Sequence, residues 1–430
     1  MEKKAWIIDV NMGYGHQRTA YPLLPMAQDE KNINANSYPG ISLKDKSIWS
    51  QSQEFYEFIS RFKKIPFIGE AGFALFNEFQ KIQPFYPKRD MSGANIFFRA
   101  TNMLIWTGWG KDLINQCAKT PVPFVTTFFV TAFMAEHFNY PNEIYCIVCD
   151  TDIARPWAPL NPKKSRIKYF APTRRVVDRL VMYGVRRENI FYTGFPLPLE
   201  NVGIGNLEIL KGDLANRLVN LDPKKVFYKK YKPLIDEYVG PLPEKSDHPL
   251  TMLFSVGGAG AQKEEGMMLV EQFRNQLQKG EMKIILSPGI RKNIADYFTA
   301  QIKKLGLSEL IGKSLEILYE PDIVKYFDRF NACLRKTDIL WTKPSELSFY
   351  SNLAVPIMIL PTIGYQEDFN KRWLLRNDFG FEPEDMRYAF QWIYDYLDAG
   401  LLADCAMQGL VEGEQMGAFK IRDIIWGNSK

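Results

Sequence analysis

The chain opens on a short apolar run at 5–10, broken by the turn Gly13-Tyr14-Gly15-His16 and followed by a helix-spaced stretch over 17–27. Strand, glycine turn and helix in that order begin a doubly wound α/β domain. Residues 49–118 differ: clear strand runs are missing and aromatics are frequent. Phe55, Phe58, Ile59 and Phe62, then Phe73, Phe76 and Phe79, recur at helical spacing. The spacing predicts two or three helices inserted into the first domain. Strand-length apolar runs return at 124–129, 144–149, 167–171 and 190–193, with a helix over 174–183 closed by Gly184.

Residues 221–249 are rich in Lys, Pro and Asp and lack a long apolar period, so they are predicted to be a linker. A second series then starts. Strands at 251–256, 282–287, 315–319, 338–342 and 356–360 alternate with helices at about 262–279, 290–304, 321–335, 345–353 and 366–376. Five such repeats predict a parallel sheet. The expected organisation is a first Rossmann-like domain over 1–220 with a helical insertion at about 49–118. A linker at 221–249 leads to a second Rossmann-like domain at 250–395, and helices at 396–430 pack back on the first.

Length and composition narrow the picture. A chain of 430 residues exceeds one hydrophobic core. Its 46% hydrophobic and 24% charged residues are those of a globular protein. The net charge of +5 is small and dispersed. It gives no nucleic-acid footprint, but it suits an anionic ligand such as a diphosphate, or an anionic membrane surface. The five cysteines do not form a disulfide framework. Cys146 and Cys149 lie inside an apolar run and read as core. The chain enters its first strand directly after Met1-Glu2-Lys3-Lys4, and no apolar run reaches the ~20 residues that span a bilayer. A cytoplasmic location is expected, with peripheral membrane contact left open. The stretch 93–109, with Phe97, Phe98, Trp106 and Trp109, and the upstream Arg61, Lys63 and Lys64, would suit such an interface, or an ordinary buried helix pair.

Four constellations carry candidate chemistry. Gly257, Gly258, Ala259, Gly260 and Ala261 follow a strand and open a helix, where small residues and free N–H groups can hold a phosphate. The same spacing serves a tight turn against a neighbouring helix. Gly13 and Gly15 precede His16, one of only three histidines. A helix start favours its neutral form, able to take a proton from a hydroxyl; capping or phosphate contact without proton transfer is the alternative. Lys343 and Glu346, then Gln366, Glu367 and Asn370, follow predicted strands at the carboxyl edge of the second sheet, where ligands bind in such folds. Ribose and sugar hydroxyls are the expected contacts, and plain helix starts the alternative. Asp150 and Asp152 follow a strand of the first half and could meet an acceptor or a cation. No third acidic residue completes a cation site, and no metal is expected.

In this order the motifs resemble those of the GT-B glycosyltransferases, among them the monogalactosyl- and glucosyl-diacylglycerol synthases and the lipid II-forming N-acetylglucosaminyltransferases. Gly13–His16 is similar to the family's first loop and Thr151-Asp152 to its Thr-Asp. Thr193-Gly194-Phe195-Pro196 matches a family strand end, and 257–261 the donor loop. Lys343-Pro344-Ser345-Glu346 approximates a family helix start, and 361–370 resembles its Gly-Gln-Glu loop. The glycine pair of the helix-start motif is absent, and Phe349-Tyr350-Ser351-Asn352 stands where its later glutamate is expected. The resemblance implies two Rossmann-like domains facing across a cleft, the first for the acceptor and the second for the donor. It implies a UDP-sugar as donor substrate, no further cofactor and no metal. The acceptor is a hydroxyl, a lipid among the candidates, and His16 is the base. A nucleotide-sugar epimerase or hydrolase on the same fold, and a non-catalytic nucleotide-sugar binder, are the alternatives.

Overall fold

The computed structural model describes residues 3–51, 82–93, 96–256, 260, 262–362 and 364–427. The helical phenylalanines at 55–62 and 73–79 lie outside them. The chain divides into two compact units. One is Met1–Pro196 with Ile363–Asn370 and Met416–Lys430; the other is Leu197–Thr362 with Lys371–Gln415.

The first unit holds strands β1 (Trp6–Asp9), β2 (Ile33–Asn34), β3 (Phe124–Thr126), β4 (Ile144–Ile147), β5 (Lys168–Ala171) and β6 (Ile190–Tyr192). They form a parallel sheet in the order β2-β1-β3-β4-β5-β6. Every residue of β1, β3 and β4 is buried, as befits strands covered on both faces. The second unit holds β7 (Leu250–Ser255), β8 (Met282–Gly289), β9 (Leu315–Tyr319), β10 (Ile339–Thr342), β11 (Ile357–Ile359) and β12 (Gly380–Phe381). These too are parallel, in the order β12-β11-β10-β7-β8-β9. With helices between the strands, both units are Rossmann-like. Each sheet reverses its winding once, between β1 and β3 in the first and between β7 and β10 in the second. Ligands of such sheets bind at the carboxyl ends beside these reversals.

Several expectations are corrected. The supposed linker at 221–249 carries the helix Val226–Tyr238. Its apolar signal is thin because only Phe227 and Ile235 are buried, Pro233 interrupts it and Tyr231 leaves helical geometry. The first unit closes at Pro196 and not at 220, because the helix Glu208–Leu221 buries Leu210, Leu214 and Leu218 in the second unit. The tail divides as well. The helix Leu401–Val411 belongs to the second unit, and Gly417–Ile425 to the first. Gly417 lies against the Phe195 carbonyl so closely that a Cβ would collide with it. In the insertion region, helices Ile96–Trp106 and Lys111–Ala118 are present. Phe98 and Trp109 are buried, which removes them from any interfacial surface. No helix among the described residues is long and apolar enough to cross a membrane.

Candidate functional site

At the reversal of the first sheet, the chain leaves β1 and turns at Gly13, whose φ of 100° is open to glycine and strained for other residues. The helix Tyr14–Ala20 follows and contains both Gly15 and His16. Gly15 serves as an ordinary helical residue, its carbonyl accepting from Thr19 Oγ1 at 2.7 Å. His16 Nδ1 lies 2.8 Å from the carbonyl oxygen of Thr127, the residue after β3. A carbonyl only accepts, so Nδ1 carries the hydrogen and Nε2 keeps its lone pair. Phe128 meets the ring edge-on at 5.0 Å, and Cys149 Sγ stands 3.6 Å from Nδ1. Burial pushes the imidazole pKa down to about 4, against the opposing pull of the carbonyl bond. The ring is therefore neutral at physiological pH, in one tautomer.

Asp9, the last residue of β1, was missed by motif reading. It is fully buried and accepts from Asn34 Nδ2 at 2.8 Å and from Asn32. Burial raises its pKa to about 7, with the two amide bonds pulling the other way. The available signal was a single carboxylate closing an apolar strand, followed by Asn32, Asn34 and Asn36.

The segment after β4 is knit tightly. Asp152 is buried and receives Arg179 Nε at 2.8 Å and Nη2 at 2.9 Å, together with Arg175 and the Ile153 amide. Its oxygens are spent on the protein, which corrects the expectation of a ligand contact. Asn370 is tied in likewise. It is buried, and its Oδ1 accepts from Thr151 N at 3.0 Å and Thr151 Oγ1 at 2.8 Å, with Nδ2 3.4 Å from Asp150 Oδ1. It is a latch on the Thr151 segment. Thr173 Oγ1 completes the knot by donating to the Thr151 carbonyl. Gln366 and Glu367 remain part-exposed in the first turn of the helix Tyr365–Arg376, one turn before Asn370. The fold thus joins two sequence motifs, around 151 and around 367, into one unit.

In the second unit, Gly257, Gly258, Ala259 and Ala261 lie outside the described residues. Gly260 has a φ of +71°. Gln262, also left-handed at 67°, donates from Nε2 to the Pro361 carbonyl at 2.9 Å. This tether joins the loop after β7 to the segment after β11. Lys343 and Glu346 follow β10 across the sheet reversal, and both are buried. Glu346 opens the 3₁₀ helix Glu346–Leu353, all of whose residues are buried, where an α-helix was expected. Among the described residues no group of three or more His, Cys, Asp or Glu side chains converges as metal ligands would.

A protein-family profile described as a domain of unknown function (DUF6938) matches residues 243–418. No curated protein matches the chain in sequence. Among solved structures it is similar to a Staphylococcus aureus MnaA–UDP co-structure, with a TM-score of 0.48, 11% identity, and coverage of 99% of this chain and 96% of that one. It is also similar to UDP-GlcNAc 2-epimerase from Neisseria meningitidis bound to UDP-GlcNAc (TM-score 0.46, 9% identity, 99% and 100% covered). A third similar structure is Acinetobacter baumannii MurG (TM-score 0.45, 13% identity, 99% of both chains). The two parallel sheets, each with its own reversal, define the fold independently of these likenesses.

Proposed function

We propose that the chain is a glycosyltransferase that moves a sugar from a UDP-sugar to a hydroxyl acceptor, with His16 as the base. The observation that carries this reading is the neutral imidazole itself. Its Nδ1–H is fixed by Thr127, and Nε2 is left as an acceptor at the reversal of the first sheet. An acceptor O–H donates to Nε2 and passes its proton there as its oxygen attacks the anomeric carbon. The bond to the diphosphate breaks, and its electron pair leaves with UDP. The loop after β7 and the helix Lys263–Gln272 would steady that leaving group through N–H groups and the helix dipole. Each preorganised donor of this kind is worth about 3 kcal/mol in a transition state.

The test is a thermal-shift screen against UDP, GDP, ADP, their sugars and NAD. UDP or a UDP-sugar raises the melting temperature, by about 2.7 kcal/mol of added stability at a hundredfold excess over Kd. Gly260→Asp abolishes the shift, because a side chain is strained at this left-handed position (φ +71°) and its carboxylate repels the diphosphate. A shift with NAD alone, or with no nucleotide, sinks the reading.

A second reading, an epimerase or hydrolase, draws on Asp9. At a pKa of about 7 it can carry a proton at neutral pH, and it lies on the strand that leads into the His16 turn. Consumption of a UDP-sugar without any acceptor favours this reading; binding with no turnover on any acceptor favours a non-catalytic binder.

A lipid acceptor would bring the chain to a membrane surface. Met103 and Trp106, each 59% exposed, and the exposed Arg99 share one face of the helix Ile96–Trp106. Phe97, Arg61, Lys63 and Lys64 lie outside the residues whose side chains are described. Co-sedimentation with anionic vesicles is expected at low salt and is lost in Trp106→Glu; wild-type protein that stays in the supernatant removes the idea.

A further inference from the structure

The geometry points to Arg291 as the cation that grips the donor's diphosphate, a role that rests on the UDP-sugar reading above. Strands β7 and β8 run side by side in parallel, with Ser255 opposite Ser287. The chain leaving β8 therefore emerges beside the chain leaving β7. Arg291 comes two residues after β8 and is the N-cap residue of the helix Lys292–Lys304, although its side chain does not cap that helix. It turns toward the glycine loop instead: a Cβ on Gly260 would stand 3.6 Å from Arg291 Cδ.

The guanidinium Nε is shut off from solvent and has no hydrogen-bond partner among the described residues. The residue as a whole is part-exposed and open to an anion arriving from solvent, while its buried Nε lacks a match within the described residues. Neighbouring cations are otherwise engaged. Lys292 Nζ pairs with Asp296 at 2.8 Å, and Lys263 Nζ lies over the Tyr297 ring at 4.4 Å. The planar fork of arginine matches the paired oxygens of a phosphate, which lysine does not. Glycine at 260 keeps the intervening space free of a side chain.

One competing explanation is internal. Glu265, in the first turn of the helix Lys263–Gln272, also has a buried oxygen, Oε2, without a partner among the described residues. An Arg291–Glu265 ion pair would make the arginine a structural group.

Calorimetric titration of the full chain with UDP and with uridine, at fixed salt, separates these roles. Arg291→Gln is expected to weaken UDP about ten- to a hundredfold and to leave uridine unchanged. Arg291→Lys recovers part of the loss, and Glu265→Gln keeps UDP affinity at or above the wild-type level. The inference is overturned if Arg291→Gln binds UDP as the wild type does, if it loses UDP and uridine equally, or if Glu265→Gln weakens UDP as much. If wild-type protein binds neither compound, the UDP-sugar reading itself fails and takes this role with it; if it binds UDP and only the Arg291 result disagrees, that reading stands without Arg291.

Discussion

His16→Ala is expected to lower turnover of the UDP-sugar by about 10²–10⁴-fold, the usual worth of a positioned general base, while UDP affinity stays at the wild-type value. The size follows from what the side chain is free to do. Nδ1 is committed to the Thr127 carbonyl, so Nε2 is the only ring position available to a substrate. His16→Asn sharpens the test. An asparagine amide places a donor near the Nδ1 position and can keep the Thr127 bond, yet it offers nothing at Nε2. Its rate should fall with that of alanine. The pH profile carries a second signature. A histidine held at about 4 is deprotonated on folding, so kcat/KM rises as pH increases through about 4 and is flat through the range where an ordinary histidine titrates. A bound diphosphate, being anionic, favours the protonated ring and moves the limb in kcat upward. A wild-type limb near 6.5 in kcat/KM that persists in His16→Ala would assign the titration elsewhere, and full activity in His16→Ala would end the proposal.

The second large effect concerns stability. Asp152→Ala is expected to cost about 3–5 kcal/mol, because breaking a buried pair leaves an uncompensated charge behind. Arg179 is the side chain left behind: it is fully buried and spends both Nε and Nη2 on Asp152. Arg175 is part-exposed and can turn to water, so it adds less. For a unit of this size the melting temperature should drop by about 10 °C. Replacing Asp152 and Arg179 together with apolar residues of similar volume should recover part of the loss, since the penalty belongs to the orphaned charge and not to the missing bridge. A melting curve of Asp152→Ala that overlays the wild type would show that the arginines find other partners. Below its melting point the variant should still bind UDP, because Asp152 faces the protein and not a ligand.

The alternation of strands and helices was legible because each element is specified locally. The runs at 144–149 and 282–287, for example, needed only a residue-by-residue reading to give β4 and β8. The glycine turn at 13 and the histidine after it were equally plain. What could not be read is decided by contacts distant in sequence. The latch at Asn370 joins residues 219 apart. The polar row at 366–370 looks alike whether its members face a ligand or a backbone amide. Asp150 and Asp152 stand two positions apart with similar neighbours, yet Arg175 and Arg179 of the helix Arg174–Met182 reach Asp152, and Asn370 lies beside Asp150. The two-residue strands β2 and β12 are too short to leave a period. Glu346–Leu353 is apolar enough for a buried α-helix, yet it winds as 3₁₀.

The latch bears on how such a chain can be divided or recombined. The first unit is assembled from three separate pieces of polypeptide and the second from two. A fragment ending at Pro196 would carry all six strands of its sheet and yet lack Asn370, leaving the Thr151 amide and hydroxyl without their acceptor, and it would also lack the helix that closes over Phe195. The match over 243–418 likewise coincides with neither unit, since it takes in Ile363–Asn370 and stops inside the helix Gly417–Ile425. Exchange of one half for a relative's half by a single crossover would therefore mix the two. A viable chimera needs junctions at 196, 362, 370 and 415 together.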